Sequence, residues 1–82
     1  MLESMPSKKP AHCHLREHFG VNVATMRVAA KATQEEMAER TGLSARYWQS
    51  IEAGEYFPPL ATLARIKSTL DCSWADLFDG CE

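Results

Sequence analysis

The segment from Ser44 to Gly54 concentrates side chains able to make specific polar contacts. On a helix at 100° per residue, Trp48 and Ile51 set an inward direction. Arg46, Gln49, Ser50 and Ala53 then fall on the opposite face, with Ala45 and Tyr47 flanking it. That outward face offers a guanidinium, an amide, a hydroxyl and the methyls of two alanines. Such groups suit the edge of a base pair in a major groove. Arg pairs bidentately with guanine, Gln with adenine, and an alanine methyl packs on the methyl of thymine. The same side chains also suit a solvated helix face, so from the pattern alone both readings stand.

A second cluster is His12-Cys13-His14 with His18. His14 and His18 are spaced i, i+4, as metal ligands on one helix face are, and Cys13 can join them. A structural zinc site needs four fixed ligands, and this segment borders a polar arm, so no metal is expected. Nothing marks Cys13 for the depressed pKa of a redox sensor. Cys13, Cys72 and Cys81 are odd in number and lack paired spacing. They make no disulfide framework and fit a reduced cytoplasmic setting. Cys72 is expected in the core between two helices, and Cys81 in the tail. The chain shows no Ser-His-Asp or Cys-His set and no glycine-rich phosphate loop. Neither an enzyme nor a cofactor is expected.

The elements that must position the 44–54 face follow from periodicity and caps. Residues 1–11, with Pro6, Pro10 and Lys8-Lys9, read as a flexible arm, and residues 12–82 as one domain. Leu15, Phe19, Val23, Met26 and Ala30 form an apolar stripe. Gly20 interrupts it at a cost of ~1 kcal/mol, so this helix is expected to start after Gly20 or to be weak before it. Thr33-Gln34-Glu35-Glu36 is a capping box opening a short second helix that Gly42 ends. Ser44 caps the third, with Leu43 and Trp48 spaced as a hydrophobic staple. Leu60, Leu63, Ile66 or Lys67, and Leu70 mark a fourth helix, and Ser73-Trp74-Ala75-Asp76 opens a short fifth that closes at Gly80. No alternating strand pattern occurs. The expected fold is all-α, a bundle of about five short helices. Its second and third helices, joined by a tight glycine-containing turn, fit a helix-turn-helix as well as an ordinary helical hairpin.

Composition bounds the partners. The chain has 82 residues, 45% hydrophobic and 24% charged, a balance that argues against wholesale disorder. Its length suits one small core. Net charge is −2 and the pI about 5.9, which weighs against a nucleic-acid partner. The charges are uneven, however. Residues 1–67 hold all nine bases and seven acids, whereas residues 68–82 hold four acids and no base. No stretch approaches the ~18 apolar residues of a membrane span, and the N-terminus lacks the apolar core of a secretory signal.

The run from Thr33 to Ser44, then Tyr47-Trp48, then Ile51-Glu52-Ala53-Gly54, resembles the lambda-repressor-like, or Xre/Cro, DNA-binding family. The resemblance extends from about Phe19 to Phe78 and includes Arg27 and Pro58. It implies that Ser44, Ala45, Arg46, Tyr47, Gln49 and Ser50 lie at a DNA surface, with Gln34 reaching a phosphate and bracing the third helix. For Tyr47, a phosphate contact and a plain surface position both stay open. Arg27 and Glu52 match a family salt bridge between the first and third helices. The chain departs from the family at Trp48, where a smaller aliphatic residue is usual. It departs again at Glu55-Tyr56-Phe57-Pro58-Pro59, where bases are common and where Tyr56 either replaces a basic contact or covers the core. The resemblance implies a transcriptional regulator, a repressor or controller, that binds double-stranded DNA as a homodimer on an inverted repeat. Trp74, Leu77 and Phe78 are the expected dimer surface. Two other readings fit: an antitoxin with a toxin partner, and a protein-interaction module that keeps the fold without binding DNA. A metal-responsive regulator using the histidine cluster is a weaker third.

Overall fold

The computed structural model describes the backbone of residues 9–81 and the side chains of residues 15–81. Within them the chain forms α1 (Lys9–Ala29), α2 (Gln34–Thr41), α3 (Ala45–Glu52), α4 (Leu60–Leu70) and α5 (Trp74–Leu77), with no strand. Residues 9–11, expected in the arm, are helical, and the rest of the arm lies outside the described residues.

Local chemistry explains most boundaries. The Thr33 hydroxyl accepts from the Glu36 amide at 3.0 Å, and Glu36 accepts from the Thr33 amide at 2.8 Å. These bonds satisfy two otherwise orphaned donors at the start of α2. Gly42 ends the helix in the left-handed region at φ 78°, where a side chain would be strained. Ser44 caps α3 through the Tyr47 amide, and Ser73 with Asp76 repeats the capping box at α5. Pro59 opens α4 without any side-chain cap.

One expectation is corrected. The helix α1 runs unbroken through Gly20, because that position is a crossing point rather than a break. A methyl there would stand 2.6 Å from the carbonyl oxygens of both Ile51 and Glu52. Only glycine lets α1 lie so close to the end of α3. The fourth helix starts at Leu60 as expected; Leu60 itself is 71% exposed, and the buried face begins at Leu63.

The core sits where the five helices meet. Phe19, Val23, Met37, Trp48, Ile51, Ile66 and Leu77 are all but fully buried. The apolar stripe of α1 is buried at its centre, Phe19 and Val23, and open at Ala30. Phe57 closes the core from the loop, edge-on to Phe19 with ring centroids 5.1 Å apart. Cys72 packs half-buried against the same cluster.

Candidate nucleic-acid interface

The outward face of α3 is held from behind by one carboxylate. Glu52, at the end of α3, accepts from Arg27 Nε at 2.6 Å and from Nη2 at 3.0 Å, a bidentate pair reaching across from α1. Gln34 Nε2 adds a bond of 2.8 Å from the start of α2, and the Trp48 indole donates at 2.5 Å from one turn earlier. Arg27 also donates from Nη1 to the Ala32 carbonyl at 3.0 Å. The side chains of Arg27 and Glu52 are only 16% and 6% exposed. Burial pushes the Glu52 carboxyl up. The hydrogen bonds from Arg27, Gln34 and Trp48 outweigh that and hold it below its ordinary value. The bond to Glu52 raises Arg27, against the opposing effect of its own burial. One anion thus ties three helices together and sets the angle of α3.

With its inner face locked this way, α3 presents Arg46, Gln49 and Ala53 as exposed residues and Ala45, Tyr47 and Ser50 as half-buried ones. Arg46 and Gln49 make no side-chain hydrogen bond or ion pair within the described residues, so their donors point at solvent. Ser50 differs. Its hydroxyl donates to the Tyr47 carbonyl at 2.8 Å, which leaves it only acceptor capacity outward. The Ser44 oxygen accepts from the Tyr47 amide and keeps its hydrogen to give. The side chain of Gln34 is turned toward Glu52.

Tyr47 and Tyr56 form a tilted ring pair, 5.1 Å between centroids. Burial first, and then the hydrogen bond with Tyr56, raises the Tyr47 phenol above its ordinary value, while a bond with Thr62 pulls it down. Three hydroxyls from α3, the following loop and α4 therefore meet at one edge of the α3 face. Thr62 and the Trp48 indole carry no signal in the outward-face pattern of the sequence. The i, i+4 spacing of Trp48 and Glu52 was the available signal for the second.

The three residues expected at a dimer surface divide. Leu77 is fully buried in the chain's own core and has no surface to offer. Phe78 is half-buried against Phe19 and Trp74, and Trp74 is 42% exposed, with Lys67 Nζ 5.5 Å over its ring. The side chains of His12, Cys13 and His14 lie outside the described residues. Among the described ones no group of three His, Cys, Asp or Glu side chains is placed to hold a metal.

A capped helix crossing a tight glycine turn onto a second capped helix, with polar groups projecting from the second, defines a helix-turn-helix domain of the transcription-regulator type. The family model described as "Helix-turn-helix domain" matches residues 18–77, and the chain belongs to that family, as a lambda-repressor-like member. It is 35% identical over 63 residues to an uncharacterized HTH-type transcriptional regulator, y4dJ, of Sinorhizobium fredii, covering 77% of this chain and 82% of the relative. Two solved structures resemble it closely in fold. The clp gene regulator ClgR of Corynebacterium glutamicum superposes with a TM-score of 0.76 at 28% identity, over 82% of this chain and 71% of ClgR. The restriction-modification controller protein C.AhdI of Aeromonas hydrophila gives 0.72 at 27% identity, over 76% and 94%. The relatives are regulators and not enzymes, and no described helix is long and apolar enough to cross a membrane.

Proposed function

We propose that this chain reads a specific duplex sequence by inserting α3 into the major groove, and acts as a homodimeric repressor or controller on an inverted repeat. One observation carries the reading. Arg46 and Gln49 are exposed and unengaged on the outer face of a helix whose inner face is locked to α1 and α2 through Glu52. An Arg and a Gln held rigidly at a helix surface are the side chains that pair bidentately with guanine and adenine. Ser44, Ala45 and Ser50 border them. The start of α2 at Gln34 supplies backbone amides for a phosphate, and its side chain braces α3 through Glu52. Tyr47 contributes ring surface at the edge.

Two copies related by a two-fold axis would set their α3 helices about 34 Å apart, one turn of DNA. Trp74, stacked on Phe78 and part-exposed, is the apolar surface that supports the dimer. The similarity to C.AhdI, a restriction-modification controller protein, supports the controller role. Selection of bound sequences from a random duplex pool tests the whole reading. The expected result is a single palindromic motif with half-sites one helical turn apart. Enrichment of no motif would overturn sequence-specific recognition, and an unrepeated half-site would overturn the symmetric dimer.

A further inference from the structure

The reading above leaves unused a groove of about 780 Å³ between the second half of α1 and the α4–α5 junction. Met26, Ala29, Leu70 and Ala75 give it an apolar lining, and the alanines are too small to fill it. On the α1 side the apolar surface continues outward. Val21 and Val28 are 61% and 62% exposed and flank Thr25, four residues before it and three after. Among the described residues the charges lining the groove are Asp71, Asp76 and Asp79, all exposed, and no base lines it.

Charge decides among the occupants. DNA is repelled by the three carboxylates. A second copy of this chain, docked here about a two-fold axis, would bring the acids of one protomer toward the same face of the other. Among the described residues no base lines the groove to answer those acids, and Arg27, the nearest base within α1, is held by Glu52. Trp74 and Phe78 stack on each other and neither lines the groove, so the proposed dimer surface and the groove are different faces. We propose that the groove docks a basic amphipathic helix from a different polypeptide. The helix lays its apolar ridge on Met26, Ala29 and Leu70 and sets its Lys or Arg side chains against Asp71 and Asp79. Because α3 takes no part, such a partner can bind while DNA is held.

The test uses the full chain, isotope-labelled for amide NMR, with a short synthetic helical peptide carrying leucines on one face and lysines along its edges. A scrambled peptide of the same composition and a version with glutamates for lysines serve as comparisons. The expected result is saturable shifts confined to residues 22–30 and 70–79, with both comparison peptides at least tenfold weaker. Asp79→Lys should weaken binding by about tenfold, and Asp79→Asn should act in the same direction by less. Both variants should keep the wild-type melting temperature. Three outcomes would overturn the proposal: equal binding by the scrambled peptide, shifts centred on α3, or no saturable binding.

Discussion

At the scale of single residues, Glu52 shows how position converts an ordinary surface residue type into a structural hub. It is nearly buried yet ionised, because four donor contacts from Arg27, Gln34 and Trp48 replace the water it lost. Its folded pKa lies below its unfolded value. The stabilisation is therefore complete above the unfolded carboxylate value of ~4.3 and is lost as pH falls through the lower folded value. Glu52→Gln should cost about 3 kcal/mol at neutral pH, since it leaves Arg27 without its anion. It should also flatten the acid limb of the stability curve; urea titrations across pH would show both. Gly20 gives a prediction of opposite sign to helix propensity. Propensity says that Gly20→Ala gains ~1 kcal/mol. The 2.6 Å approach to two backbone oxygens says that it loses about 1–3 kcal/mol through overpacking. A raised urea midpoint would refute the close crossing. Arg46→Ala should leave the melting curve unchanged and lose ~1–3 kcal/mol of affinity at the selected site, most of it at one base pair. Equal binding to that site by mutant and wild type would remove Arg46 from the readout.

At the scale of elements, the caps were legible in the sequence and the crossings were not. Thr33, Glu36, Gly42, Ser44 and Ser73 act on their own backbones within four residues, so local pattern suffices to find them. Gly20 misled because its role depends on which distant element arrives: the end of α3 lies over it. The tyrosine pair with Thr62 escaped for the same reason, since three different segments bring it together. The short α5 depends on such a non-local tie. Asn22 Nδ2 donates to the Leu77 and Asp79 carbonyls, both at 2.8 Å, and satisfies acceptors that a helix of four residues cannot satisfy by itself. Asn22→Leu should therefore release α5 selectively. Amide exchange at residues 73–80 should accelerate while α2 and α3 keep their protection. Uniform acceleration over the whole chain would show instead that Asn22 holds the global fold.

At the scale of the whole molecule, the puzzle is a domain of net charge −2 in a DNA-binding family. Placement resolves part of it. Asp71, Asp76 and Asp79 gather around the α1–α5 groove, away from the projecting face of α3. The bases are also fewer than their count suggests. Arg27 is held by Glu52, Lys67 lies over Trp74, and Arg65 leans toward the Thr41 carbonyl at 3.5 Å. Between Ala30 and Gly54, Lys31, Arg40 and Arg46 are then the exposed cations that make no side-chain ion pair or hydrogen bond among the described residues. Electrostatic attraction should accordingly be shallow, and the loop after α3, with exposed Glu55 beside Tyr56, should oppose phosphates instead of attracting them. Glu55→Lys isolates this term. If the loop faces the DNA backbone, each added phosphate contact steepens the log–log salt slope by ~0.9, so a dimer should steepen by about 2. Affinity should rise at low salt for every sequence alike, and the preferred motif should not change. A salt slope equal to that of the wild type would turn the loop away from the DNA.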